Sequence, residues 1–451
     1  MRLDNRWVAS SLAKRIRASP YYPALTHPVI RRLLPGMATS ALGDGMSAVA
    51  IAWLALKLAP AGDKGLWVGA AVAAYSLPGA AGAVLLRRWL SGSAGTRLAF
   101  ANAVLRTLAL GLAGVLALAG LLSPLGFVLL LGASSLLSAW GAAGKYTLIA
   151  ELLPAEQRVA GNTVFGLSDQ ASFMIGPALA GIVTALTGPA VVIAVDAATW
   201  AILAVSYARV TPMVTSAEQP QQPGQPQQPG QPQQPGRPQQ PGQPQQPEQP
   251  EQHGKTGVWA LIRSAPVLPG LLAMSFFFYL LYGPVEVALP VHIADDLHGS
   301  AALLGVFWAV FGVGAVIGEL AAPFLRRLPV WPTMAAIVFG WGLALVPLGL
   351  SIPVGVTLGA FFAGALIWGP WTSLSMAVFQ EAAPPDALAQ VLAARGSLLI
   401  LASPLGTALG GPLVAAIGAR GTLLVSALGT VAIGVVAATI LLLGRRRRRR
   451  R

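Results

Sequence analysis

Long apolar stretches, each closed off by a short polar or Gly/Pro-rich segment, run along almost the whole chain. Twelve of them reach the roughly 20 residues that an α-helix needs to cross about 30 Å of hydrocarbon. In the first half they cover 33–58, 66–86, 98–122, 125–150, 162–187 and 189–210. In the second half they cover 268–291, 301–325, 330–350, 353–380, 391–417 and 421–444. Between the two sets lies a run with no apolar pattern, Glu218 to Gln252, built on Gly-Gln-Pro-Gln-Gln-Pro. Proline fixes φ and has no amide hydrogen, while glutamine and glycine bring nothing to bury, so this run is expected as a solvated, partly polyproline II tether. The pattern predicts an all-α membrane protein of twelve transmembrane helices in two six-helix bundles. Its expected parts are a basic arm (1–32), a first bundle (33–210), a linker (211–257), a second bundle (258–444) and a polyarginine tail (445–451). The first apolar stretch starts too late and runs too long for a cleavable signal peptide.

The two halves repeat one another. Glu151-x-x-Pro154-x-Glu156, Gly166, Gly176-x-Ala178-Leu179-x-Gly181 and Gly188 reappear 230 positions later as Glu381-x-x-Pro384-x-Asp386, Gly396, Gly406-x-Ala408-Leu409-x-Gly411 and Gly418. Gly69 and Gly82 reappear 236 positions later as Gly305 and Gly318. Two anchor sets offset by a few residues describe a duplicated six-span unit with different loop lengths. Parallel repeats of this kind surround a substrate site near the membrane midplane in one large class of transporters.

Composition agrees with a lipid solvent: 55% of residues are hydrophobic and only 10% charged, where a soluble domain carries roughly a quarter charged. Cysteine is absent, which removes disulfides, thiolate metal sites and cysteine nucleophiles. The net charge of +14 is explained by topology rather than by nucleic acid. With the N-terminus in the cytoplasm, 26 of the 30 lysines and arginines fall on the cytoplasmic side. Both termini and the tether are then cytoplasmic, facing anionic headgroups, and residues 7–17 have the spacing of a short interfacial helix or form a disordered basic arm. Gly141-Ala-Ala-Gly144-Lys145-Tyr146 is the nearest approach to a phosphate-binding loop. It lacks the first glycine and the hydroxyl after lysine, so neither ATP hydrolysis nor any other enzymatic activity has support. No metal or cofactor is called for. The wealth of Ala, Gly and Arg hints at a high-GC bacterium, hence the bacterial inner membrane.

Several motifs resemble the major facilitator superfamily, and within it the drug:proton antiporters of the macrolide-efflux type. They are Ser40-Ala-Leu-Gly43-Asp44-Gly45, Leu77-Pro78, Glu151-Leu-Leu-Pro154-x-x-x-Arg158-x-x-x-Asn162 and Gly176-Pro177-Ala-Leu-Ala-Gly181. The last is similar to a glycine-proline motif that such antiporters carry in span 5. The resemblance covers nearly everything outside the arm, tether and tail. It implies proton-coupled export of an amphipathic small molecule, and a monomer is the expected state. One departure stands out: where the family's loop after span 2 reads Gly-x-Leu-x-Asp-Arg-x-Gly-Arg, this chain has Gly82-Ala-Val-Leu85-Leu86-Arg87-Arg88-Trp89, with leucine in place of aspartate. Uptake or facilitated diffusion of a metabolite shares the same topology, and a non-transporting scaffold or sensor is a third possibility.

An aspartate at mid-membrane costs about 2.5–3.5 kcal/mol on insertion scales, so each charge inside a span calls for a partner, water or a task. Asp44, between Gly43 and Gly45, is the leading candidate to bind a proton or attract a cation. Arg106, at similar depth in span 3, either pairs with Asp44 or snorkels to the interface. Glu286 is a second titrating group or an outer-gate residue. Gly82, Arg87 and Glu319 are expected at the cytoplasmic gate, and Gly176, Pro177 and Gly181 at a moving helix contact. Trp368, Trp371, Phe277 and Tyr279 either pack between helices or line the cavity, where they suit a large apolar or cationic ligand. Asp169 and Asp196, toward span ends, are expected to be structural.

Overall fold

A computed structural model describes residues 22–90, 93–218, 267–325, 328–382 and 388–449. Residues 7–17 of the arm, almost all of the Pro/Gln-rich tether, Arg326, Arg327, Pro384 and Asp386 lie outside the described residues. Among the described residues all secondary structure is helical. Span 1 is Pro28–Leu58, span 2 Lys64–Leu85, span 3 Gly95–Leu118, span 5 Ala155–Thr187 and span 6 Pro189–Glu218. Span 4 comes in two pieces, Pro124–Ser135 and Ser138–Leu152. In the second half, span 7 is Val267–Val291 with a wide π turn, His292–Asp296, at its end, and span 8 is Ala301–Leu325. Span 9, Val330–Leu345, closes in a 3-10 turn, and span 10 is split into Val354–Trp368 and Trp371–Ala382. The helical run Leu388–Arg449 is broken at Gly418 into spans 11 and 12.

The apolar pattern finds the spans better than their ends. Span 8 matches its expected limits, but span 1 begins at Pro28 rather than 33 and span 6 runs on past 210 to Glu218. A helix continues as long as its backbone hydrogen bonds do, and polar residues outside the hydrocarbon do not interrupt them. The last helix likewise carries its backbone through Arg449, into the expected tail. Where the backbone does break, the cause is local. Span 10 gives way at Gly369-Pro370, because proline cannot donate to the preceding turn and its ring crowds it. Gly369 is there pressed against span 8, so closely that a Cβ would strike the Ala315 carbonyl.

The repeat seen in the sequence is present in space. Gly188 and Gly418, its last members, both adopt positive φ (89° and 72°) at the junctions of spans 5–6 and 11–12, a conformation that essentially only glycine holds. Within each half, Gly176 of span 5 packs on Gly45 of span 1, and Gly406 of span 11 packs on Gly283 of span 7. Between the halves, spans 5 and 8 touch at Gly181 and Gly305, and spans 11 and 2 at Gly411 and Gly69. The two cross-half contacts are the same contact taken twice, because Gly411 repeats Gly181 and Gly305 repeats Gly69. A Cβ built on Gly181 would lie 3.0 Å from the Gly305 Cα, and one on Gly69 2.8 Å from the Gly411 Cα. Small residues are what let backbones meet this closely in lipid. Leu108, Leu112, Leu428, Val435 and Ile440 point outward on the perimeter, where hydrocarbon accepts them.

Candidate functional site

Between the halves lies a cavity of about 620 Å³, within the range that holds drug-sized ligands. Its wall in the first half is polar, with Asp44, Tyr75, Asn102, Arg106, Lys145 and Trp200 among its members. Its wall in the second half is mostly aromatic, with Tyr282, Trp308 and Phe311 beside one acid, Glu286. Met37, Ala99, Lys145 and Tyr207 extend it toward the end where span 1 begins.

Asp44 and Arg106 are brought together. Arg106 Nη1 donates to Asp44 Oδ1 at 2.7 Å, and Tyr75 Oη donates to the same oxygen at 2.7 Å. The Trp200 indole N–H approaches it at 3.3 Å, and Arg106 also reaches Tyr75 Oη at 2.9 Å. The guanidinium is buried and lies over two rings, 4.6 Å from the centroid of Trp200 and 5.1 Å from that of Tyr75. Asp44 keeps a side exposed to the cavity, 38% of its surface. One carboxylate is thus shared by donors from spans 2, 3 and 6. Charge-assisted hydrogen bonds of this kind are roughly twice as strong as neutral ones.

Behind this group stands Asp196, fully buried, whose Oδ2 accepts a hydrogen bond from Ser47 Oγ at 2.5 Å while Thr199 Oγ1 lies 3.4 Å from Oδ1. Gly43 is required at that crossing, since any side chain would run into Thr199 and Asp196. Tyr75 and Trp200 are the members that motif reading missed, and Asp196, expected to be structural, stands directly behind them. Their trace in the sequence is a polar island in an apolar span: Tyr75-Ser76 in span 2, Asp196-x-x-Thr199-Trp200 in span 6. Asp169 sits in span 5, but its side chain lies outside the described residues.

Glu286 reaches the same cavity from the opposite wall. Thr407 Oγ1 lies 3.1 Å from its Oε2 and 3.0 Å from the Ser403 carbonyl, and a single hydroxyl proton serves only one of them at a time. Among the described residues no lysine, arginine or histidine pairs with Glu286.

Of the two places open to the four aromatic candidates, packing or cavity wall, the cavity wall is corrected: none of the four lines the cavity. Trp371 is fully buried against Phe278, with ring centroids 4.7 Å apart, and Tyr279 packs edge-on to Phe278 in the same contact. Phe277 is half exposed on the perimeter, and Trp368 backs Phe311 from behind at 5.4 Å. In a helix only one stripe faces the cavity, and on span 7 that stripe runs through Tyr282, Glu286 and Pro290.

At one end the halves are closed. Besides the two glycine contacts, Lys64 Nζ at the start of span 2 meets Asp295 Oδ1 in the π turn after span 7 at 2.6 Å. The neighbouring Asp296 stays within its own half, 2.7 Å from His292 Nδ1 and 3.4 Å from Arg420 Nε. Gly181 belongs to this closure, while Pro177 and Gly176 lie about one turn deeper, and Pro177 lines the cavity.

At the other end, Gly82 is pressed on span 4, and its carbonyl accepts the Trp140 indole N–H at 2.9 Å. Leu86, in the place of the family's aspartate, ends span 2, and Arg87 is exposed. Glu319 accepts a hydrogen bond from Ser373, joining span 8 to span 10 within the second half.

The Major Facilitator Superfamily family model matches residues 33–399. The multidrug efflux pump Tap of Mycolicibacterium fortuitum is 30% identical over 174 residues, which is 38% of this chain and 42% of that protein. The Tap pump of Mycobacterium bovis (strain BCG / Pasteur 1173P2) is 33% identical over 161 residues, 35% of this chain and 38% of that one. The chain thus spans about two fifths of the length of the curated relatives it matches. Among solved structures, a bacterial homologue of the iron transporter ferroportin in an inward-facing state superposes with a TM-score of 0.66 at 15% identity, covering 91% of this chain and 98% of the other. A bacterial homologue of the human lysosomal transporter Spinster, inward-facing and unoccupied, gives 0.65 at 12% identity, covering 93% and 98%. At such identities these two bear on the fold alone.

Proposed function

The chain belongs to the major facilitator superfamily, and from that premise we propose that it is a secondary active exporter of amphipathic small molecules, driven by protons and working by alternating access. Similarity to the Tap pumps supports the efflux reading. The observation that carries it is the cavity between the halves, closed at the Lys64–Asp295 end and lined by ionisable groups from both walls. The basic-residue count supports reading that closed end as the outside and both termini as cytoplasmic, and the bacterial relatives support the inner membrane. Residues 33–210 and 258–444 are the two rocking bundles of a monomer. The 1–32 arm, the 211–257 linker and the 445–451 tail are assigned to the cytoplasmic side by the same count.

In this reading cargo enters from the cytoplasm. Rocking separates Gly181 from Gly305, Gly69 from Gly411 and Lys64 from Asp295, and the cavity then opens outward. A proton arriving at Asp44 removes the charge that holds Arg106, and the freed guanidinium changes partners as the halves return. One charge crossing the membrane is worth about 2.3 kcal/mol per 100 mV, which sustains roughly a fifty-fold gradient per proton.

The test uses purified protein in liposomes with an imposed pH gradient and a panel of fluorescent dyes and antibiotics. Dye movement against the gradient, accompanied by proton flow in the opposite sense, is expected from the natural chain, and Asp44→Asn abolishes the response to the gradient. Dye and protons moving in the same sense would convert the exporter into an importer. Undiminished gradient-driven transport by Asp44→Asn would remove Asp44 from the coupling.

A further inference from the structure

Each wall of the cavity carries a carboxylate and aromatic rings, and among the described residues only the first-half carboxylate is paired with a protein cation. In the first half a carboxylate, Asp44, stands with two aromatic rings, Tyr75 and Trp200, and the space between them is filled by the protein's own cation, Arg106. In the second half a carboxylate, Glu286, stands with Tyr282 one helical turn away and Trp308 and Phe311 on the same cavity, and no protein cation joins them among the described residues. Thr407 is the donor Glu286 has, and it shares its proton with the Ser403 carbonyl. A carboxylate held away from bulk water without a counter-charge is costly, and it is relieved by a proton or by a cation brought in from outside.

The rings on the same wall pack on one another and on a second layer of rings. Trp308 and Phe311 lie 5.8 Å apart, Phe311 and Tyr282 lean on Trp341 at 5.6 Å and 6.3 Å, and Phe361 and Trp368 back Phe311 at 5.5 Å and 5.4 Å. Faces packed in this way attract a cation without having to be ordered first.

We infer that Glu286, with Tyr282, Trp308 and Phe311, is the cargo-selecting site, and that it takes a monovalent organic cation with an aromatic or bulky apolar body. The cation occupies beside Glu286 the place that Arg106 occupies beside Asp44, and its apolar body lies against the Trp308–Phe311 wall. Asp44, already paired, does not select cargo. Proton and cargo exclude one another at Glu286, because either one alone neutralises it. This inference rests on the export reading above and names its substrate class.

The test is equilibrium binding to the purified full chain, comparing tetraphenylphosphonium with neutral triphenylphosphine oxide. The natural chain is expected to favour the cation by about tenfold or more. Glu286→Gln is expected to lose that preference while binding the neutral ligand within about twofold of the natural chain, and Glu286→Asp is expected to keep part of the preference. Equal affinity of the natural chain for both ligands, or an undiminished cation preference in Glu286→Gln, would overturn the inference. Trp308→Leu removes a ring without touching the acid, and it is expected to weaken the cation more than the neutral ligand. An equal loss for both would count against the site, and this holds whether or not Glu286→Gln folds. Transport of neither ligand in liposomes would defeat the export reading while leaving the binding preference measurable. Transport of the neutral ligand alone would defeat the inference and leave export standing.

Discussion

The two halves of this molecule descend from one pattern and share their glycine contacts, yet they treat an acid on the cavity wall in opposite ways. In the first half Asp44 is tied to Arg106, Tyr75 and Trp200, so three helices are pinned on one oxygen. In the second half Glu286 has a shared hydroxyl and an aromatic wall. The lesson is that duplication preserved the backbone approaches, which lipid packing demands on both sides, and let the polar chemistry diverge. A network complete in itself holds structure and can be released by one proton. An incomplete one is a site.

The comparison breaks most visibly if the two acids are equally important to stability. Arg106→Ala leaves Asp44 without its cation. Removing one partner of a buried pair costs about 3–5 kcal/mol, and with Asp44 38% exposed to cavity water the expected loss falls to about 2–3 kcal/mol. Glu286→Gln keeps an amide oxygen that can accept from Thr407 and removes only the charge, and it is expected to change stability by less than about 1 kcal/mol. Thermal unfolding of the two variants in detergent measures the difference, and equal losses would make the contrast between the halves false.

A smaller effect sharpens the picture at the closed end. Lys64–Asp295 is an ion pair with 32% and 42% of its side chains exposed, and pairs of this kind contribute about 0.2–1 kcal/mol. Lys64→Gln is therefore expected to shift the balance toward the outward-open form by about fivefold at most, and less at high salt. Because the natural chain has no cysteine, a single Ser76→Cys in the cavity wall reports this shift through labelling by a membrane-impermeant thiol reagent from outside. The exchange Lys64→Asp with Asp295→Lys should restore the original labelling rate. A swap that labels as fast as Lys64→Gln would show that the glycine contacts alone close this end.

Much of this was legible in the chain before any coordinates. Twelve apolar stretches and a repeated glycine series give the spans, and Gly188 and Gly418 mark the two corresponding junctions, because positive φ leaves a residue type as its signature. Asp44 and Arg106 stood out because charges inside apolar stretches are rare and costly. The stripe of span 7 that faces the cavity was not legible. Phe277, Tyr279 and Tyr282 are all aromatic, and only the rotation of the helix, set by Gly283 packing on span 11, decides that Tyr282 reaches the cavity while Phe277 faces outward. Which of its two places Trp371 takes was not legible for a related reason. The break at Gly369-Pro370 resets the phase of span 10 and turns the indole into the helix bundle.

Anomalous scattering from crystals grown with tetraphenylarsonium tests the contrast between the halves most directly. The arsenic peak should lie within about 6 Å of the Glu286 carboxylate, against Trp308 and Phe311, with the Asp44–Arg106 pair still intact. A peak beside Asp44 with Arg106 displaced from it, and an empty second-half wall, would contradict the assignment of cargo to Glu286.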